Sequence, residues 1–253
     1  MTDNQLIKNL LASSISISTS VSLFNPLDCL RIKWQTNKKN ISLSTFTNKL
    51  IKQKSFYTLG IYSNIIGCAI SRGIGMGFYP FILNSWSEKT ATSMFCSGLI
   101  SGSIGYGLSN PFWIIKTRQQ ATNQYKTIFR GLKHLYHTKS LFQGFPYLVV
   151  RGGLMNAGNT LGYDGTKTFL KKHNICDEGI ILHLFASFNA ALLSTTFSVP
   201  FDYLLTSNLT NNKCNYKHIF KGWIPMFSRI LPIYCLYLPF YEQLRVLFGL
   251  NYL

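Results

Sequence analysis

Long apolar stretches alternate with short, base-rich polar ones along this chain, and the alternation repeats three times. Periodicity and breakers predict six helical spans at about 5–35, 61–83, 91–120, 144–170, 178–208 and 223–248. Each is long enough to cross a hydrocarbon core of roughly 30 Å. None is a clean apolar run: seven hydroxyl residues fall between Ser13 and Ser22. Polar residues in a spanning segment are expected to turn towards protein or a water-filled path rather than lipid. Small residues (Gly98 and Gly102, Ser187 and Ala191) predict close helix approach in the second and third units, whereas the first has Ser13 and Ile17 at those places. Each basic loop is expected to hold a short amphipathic helix, and His134 and His137 lie on one face of such a helix rather than forming a metal site.

The three units share landmarks. Pro26-Leu27-Asp28-Cys29-Leu30-Arg31-Ile32-Lys33-Trp34-Gln35 recurs as Pro111-Phe112-Trp113-Ile114-Ile115-Lys116-Thr117-Arg118-Gln119-Gln120, and more weakly as Pro200-Phe201-Asp202-Tyr203-Leu204-Leu205. The prolines are 85 and 89 residues apart, and a glycine follows each motif, at Gly60, Gly144 and Gly222. Nineteen residues past each glycine stands a tyrosine: Tyr79, Tyr163 and Tyr241. Tyr163 opens Tyr-Asp-x-x-Lys and Tyr241 opens Tyr-Glu-x-x-Arg. Internal repetition of this kind argues for one architecture built of three like parts, at 1–90, 91–176 and 177–253.

Charge sharpens the picture. The 253 residues carry a net charge of +17, with 25 bases against 8 acids, yet only 13% of residues are charged and 47% are hydrophobic. Residues 31–54 hold seven bases, 116–139 six and 213–221 three, with no acid in any of these windows, so the rest of the chain contributes only +1. An even number of spans puts the three windows on one side of a membrane, following the positive-inside tendency, with both termini on the other. A nucleic-acid binder is disfavoured because the basic windows alternate with membrane-length spans. Six scattered cysteines without C-x-x-C spacing speak against zinc or a disulfide framework. No catalytic triad, acidic metal cluster or Walker loop is present, so neither an enzyme nor a resident cofactor or metal is expected.

These motifs resemble the mitochondrial carrier family over nearly the whole chain. The resemblance implies an all-α membrane protein, with six transmembrane helices in three pseudo-repeats around a central cavity and short helices on the matrix side. It implies helix kinks at Pro26, Pro111 and Pro200. It also implies a matrix gate of Asp28 with Lys116 and Asp202 with Arg31, braced by Gln35 and Gln120. The third pair is replaced by Trp113 and Leu205, giving the gate two ionic sides and one apolar side; one orphaned buried charge would cost several kcal/mol where an apolar pair costs little. A thinner cytoplasmic gate would join Asp164 to Arg245, leaving Lys167 and Glu242 without their usual partners because Pro80 and Leu83 stand in the first unit.

Family contact points fall seven residues after each glycine, at Gly67, at Arg151 with Gly152, and at Arg229, with Asn64, Met155 and Ile233 one helical turn away. Two arginines with no acid beside them imply an anionic substrate. Arg72 lies about 140° around the helix from Gly67 and joins the site only if that helix deforms. Trp113 and the stretch at 60–67 are similar to the branch that carries folate or flavin, NAD and pyrimidine nucleotides, and Gly67 leaves room for a bulky group. A nucleotide-like anion is therefore the leading substrate class. A di- or tricarboxylate, or a carrier-fold membrane adaptor that does not transport, is the alternative. The resemblance further implies a monomer in the mitochondrial inner membrane that meets anionic, cardiolipin-like lipid at its matrix-side helix ends and binds no nucleic acid.

Overall fold

The computed structural model describes residues 3–36, 42–53, 56–173, 179–210, 219–220 and 222–250, and among these there is no strand. The helices are α1 (Asp3–Leu23), α2 (Asn25–Thr36), α3 (Leu43–Ile51), α4 (Ile61–Leu83), α5 (Ala91–Leu108), α6 (Asn110–Thr122), α7 (Ile128–His137), α8 (Phe145–Lys172), α9 (Ile180–Leu209) and α10 (Trp223–Leu247). The long helices α1, α4, α5, α8, α9 and α10 pack in sequence around a ring, and α10 returns to α1. At one end α2, α6 and the second half of α9 converge on one another. The short helices α3 and α7 lie in two of the basic loops, capped by Ser42 and Thr127 side chains that accept from backbone N–H groups. The third loop, 211–218, lies outside the described residues.

The bundle is apolar outside and polar within, as a lipid-solvated fold requires. Ile7, Leu11 and Ile15 on α1, Ile100, Ile104 and Leu108 on α5, and Ile181, Phe185, Phe188 and Leu192 on α9 are exposed at helical spacing. The serines of α1 point inward or bond along their own helix. Ser13, Ser14 and Ser16 donate to the carbonyls of Arg72, Ala69 and Tyr237, tying α1 to α4 and α10. Ser18, Thr19, Ser20 and Ser22 bond the carbonyls four residues back. Three helices, residues Asn4–Leu23, Ile61–Leu83 and Ile180–Leu209, are apolar enough to span on their own. The others carry inward-facing polar residues that the bundle covers.

The repeated landmarks have physical reasons. Gly60, Gly144 and Gly222 begin α4, α8 and α10 in the left-handed region, with φ of 66, 72 and 100°, where a side chain is strained. Gln120 lies against Gly60, Gln35 against Gly222, and Leu209, where a glutamine would stand, against Gly144. The proline junctions are not alike. The chain breaks between α1 and α2 and between α5 and α6, and there Asn25 donates to the carbonyls of Tyr57 and Leu59 while Asn110 donates to Leu141. Val199 has no such donor, and α9 runs through Pro200 as one helix from Ile180 to Leu209, close to the expected span of 178–208.

Close packing of α8 on α9 depends on glycine. A Cβ on Gly158 would lie 2.7 Å from the backbone of Ser194, and one on Gly162 2.5 Å from that of Ala190, whereas one on Gly165 would meet only Leu161 at 3.8 Å. Overpacking of this kind costs about 1–3 kcal/mol. Gly162→Leu is therefore expected to lower the melting temperature in detergent by several degrees, and Gly165→Leu to leave it within error.

Candidate functional site

Where α2, α6 and α9 converge, the two proline-motif acids are buried among bases. Asp28 is 2.5 Å from Lys116 and 3.2 Å from Arg31, and Arg31 reaches on to Asp202 at 2.5 Å. Gln35 donates to Asp202 at 2.7 Å and accepts from Thr206, so it braces this bridge. Gln120 does not brace the other. Its amide donates to Asn25 Oδ1 and to the Leu59 carbonyl, holding the junction between α2 and α4.

The two arginines expected in the cavity have acids beside them after all. Arg151 Nε lies 2.6 Å from Asp202, and Arg229 forms a charged hydrogen bond to Asp28. A guanidinium on a long stem extends past a full turn of its own helix, so an arginine whose Cα faces the cavity can end at the gate below. Trp113 changes meaning too. Its ring lies 4.1 Å from Lys116 Nζ and 5.0 Å from Arg151 Cζ, so the side expected to be merely apolar holds two cations against a π face. Leu205 is buried against Gly144.

Above this cluster is a closed central void of about 10 Å³, roughly what one water molecule needs. Arg72, Arg229, Trp113, Tyr106, Tyr234 and Met155 are among its walls. Arg72 therefore does share the cavity, although it was placed off the contact face. It donates to Asn156 Oδ1 at 3.2 Å and to the Tyr234 hydroxyl. Met155 and Ile233 line the void, whereas Gly67, Asn64, Gly152 and Arg151 do not. Asn64 is spent on Asn25 Oδ1, 3.1 Å away. Gly67 faces Phe112 and Trp113 at ordinary contact distance, so the room expected beside it is filled. Gly152 makes room for the Tyr106 ring.

At the other end of the bundle, two residues expected to lack their usual partners find one another. Lys167 Nζ meets Glu242 Oε1 at 2.7 Å, so the two residues expected to lack partners pair with each other. Asp164 accepts from the Tyr79 hydroxyl, and Arg245 donates to the Tyr241 hydroxyl at 3.3 Å. Beside them the Tyr163 hydroxyl is 2.7 Å from Nδ1 of His183, a residue the motifs gave no reason to single out. All four residues are thus buried, with tyrosine hydroxyls bonded to Asp164 and Arg245.

Buried ionic clusters thus lie at the two ends of the bundle, with a small void between them. A family model described as mitochondrial carrier protein matches residues 86–174. A mitochondrial substrate carrier family protein of Dictyostelium discoideum is 24% identical, over 95% of this chain and 96% of its own. These matches support the mitochondrial carrier family. The mitochondrial dicarboxylate carrier of Caenorhabditis elegans is 22% identical to this carrier, over 89% of each chain. A probable mitochondrial 2-oxoglutarate/malate carrier protein of Dictyostelium discoideum is 23% identical, over 97% of this carrier and 91% of its own chain.

Removing one partner of a buried pair leaves an uncompensated charge, a loss of about 3–5 kcal/mol. Lys167→Met is expected to lower the melting temperature of the detergent-purified carrier markedly. The double variant Lys167→Met, Glu242→Leu is expected to recover much of the loss, which thermal unfolding of the two side by side will read.

Proposed function

We propose that this carrier moves a small organic anion with two negative charges, most simply a dicarboxylate of four or five carbons, by alternating access across the mitochondrial inner membrane. The observation that carries this reading is the charge count around the void. Arg72 and Arg229 at the void, and Arg31, Arg151 and Lys116 in the cluster below it, are all at least 95% buried, against the two carboxylates Asp28 and Asp202. Guanidinium groups keep their proton at physiological pH, so at least two positive charges are in surplus, and a dianion offsets them. Arg72 offers the clearest anchor, because the partners it donates to are neutral.

Size favours the carboxylate alternative over the nucleotide. Trp113 packs where a base would need room beside Gly67, and Arg151 stands where the nucleotide-like branch has a small residue. The names of the relatives, which include a dicarboxylate carrier and a probable 2-oxoglutarate/malate carrier, support the same class. In this reading the three repeats end near residues 90 and 176, both termini face the intermembrane space, and anionic lipid binds at the matrix-side helix ends of a monomer. The ionic gates at both ends of the void argue against a purely adaptor role.

Proteoliposomes preloaded with malate and offered labelled 2-oxoglutarate, succinate, ATP or NAD test the reading. Exchange of the dicarboxylates without the nucleotides is expected, and exchange of ATP or NAD alone overturns it. Arg72→Gln is expected to reduce dicarboxylate uptake by about tenfold or more, the loss of a buried charged hydrogen bond.

A further inference from the structure

The buried contacts at the proline-motif end close into a ring. Asp28 meets Arg31, Arg31 meets Asp202, and Asp202 meets Arg151. Arg151 lies over Trp113, Trp113 faces Lys116, and Lys116 returns to Asp28. The ring passes through α2, α9, α8 and α6 and so links all three units. Carboxylates make two of its anchors. The third, where the repeat pattern would place an acid, is the indole of Trp113.

We propose that Trp113 and Arg151 are the element that couples substrate binding to opening of this gate. Trp113 replaces the missing carboxylate as the resting place of two cations, and Arg151 is the one ring member that an arriving anion can withdraw. This rests on the anion-carrier reading above.

Three observations support it. Arg151 is fully buried, yet its Nη1 and Nη2 have no hydrogen-bond partner among the described residues. These two donors are what a planar carboxylate engages bidentately. Trp113 and Tyr106 are walls of the void and also the two rings over which Arg151 sits, at 5.0 and 5.6 Å, so the guanidinium is one ring's thickness from the substrate space. Finally, the contact of Arg151 with Trp113 is replaceable. A π face holds a cation by about 0.5–2 kcal/mol, less than a buried carboxylate does, so this is the side of the ring that yields first. When Arg151 turns to the substrate, Asp202 keeps Arg31 and Gln35, but the ties from Arg151 of α8 to Asp202 on α9 and to Trp113 on α6 are lost. The anion thus opens the gate by taking a cation from it, and a neutral molecule of the same shape does not.

The chain has four tryptophans, Trp34, Trp86, Trp113 and Trp223. A variant with the other three changed to Phe reports on Trp113 alone. In proteoliposomes, succinate is expected to change its emission saturably, with a midpoint near the transport KM, and Arg151→Gln to abolish the change. Trp113→Phe, which keeps a π face, is expected to hold kcat within about threefold, while Trp113→Leu lowers kcat about tenfold or more with KM little altered. Trp113 emission that ignores succinate while the same proteoliposomes transport it overturns the coupling role. Absence of succinate transport in the unaltered carrier counts instead against the dicarboxylate assignment. A double-mutant cycle of Trp113→Leu with Arg151→Gln, read as melting temperature without any substrate, then still decides the ring: coupled losses support it and additive losses overturn it.

Discussion

Everything in this bundle follows from a surplus of positive charge that lipid cannot solvate. In water each arginine would find its own hydration, but the outside of these helices is Ile, Leu and Phe, so the charges have to converge on the axis. There two carboxylates serve four cations, and each is shared: Asp28 among Arg31, Lys116 and Arg229, Asp202 between Arg31 and Arg151. Sharing lowers the cost of burial without cancelling it, and the remainder is borne by aromatic faces, at Trp113 for Lys116 and Arg151 and at Tyr234 for Arg72. A site left partly uncompensated in this way is both a strained gate and an attractive one for an anion. The two roles belong to the same side chains.

Backbone-level features of this arrangement were legible in the sequence. The spans could be placed to within a few residues because prolines and left-handed glycines mark their ends, and Ile61–Leu83 coincides with its expected bounds. Asp28 with Lys116 and Arg31 with Asp202 follow from matching one repeat to the next. What could not be read was where long side chains end. Sequence spacing fixes a Cα on a helical face, but several rotatable bonds let Arg151 and Arg229 descend to the gate and let Arg72 reach the void from a face that looked wrong. Asn64 and Gln120 go elsewhere for a related reason: both donate to Asn25 Oδ1 at the junction of α1 and α2, a demand invisible in a motif. Trp113 was misjudged because counting formal charges treats an indole as neutral, whereas its ring face carries the negative part of a quadrupole.

The opposite end of the bundle combines an ion pair with hydroxyl bonds. With Pro80 and Leu83 in the first unit, Asp164 leans on the hydroxyl of Tyr79 and Lys167 pairs sideways with Glu242. A hydroxyl bond to a carboxylate is weaker than a full ion pair but carries less desolvation cost when it breaks. Such a gate opens with a smaller penalty, which suits a device whose two states must lie within a few kcal/mol of each other.

The asymmetry of the third unit sets how motion travels. In the first two units an asparagine before the proline holds a loop carbonyl and the helix breaks there, so α2 and α6 can tilt on their junctions. In the third, Val199 offers no donor, Leu205 and Leu209 replace the base and the glutamine, and α9 continues for 30 residues, about 45 Å at the helical rise. Asp202 sits on that rod, and the opposite half of the rod packs backbone to backbone on Gly158 and Gly162 of α8. In the proposed coupling, withdrawing Arg151 from Asp202 would remove one tie on α9 while the glycine contact with α8 stays in place. The next residues along that arm are at the far gate, where His183 of α9 bonds Tyr163 of α8. The third repeat, which keeps Asp202 but has Leu205 at the basic position and no asparagine before its proline, thereby supplies one continuous helix that reaches both charged ends of the bundle.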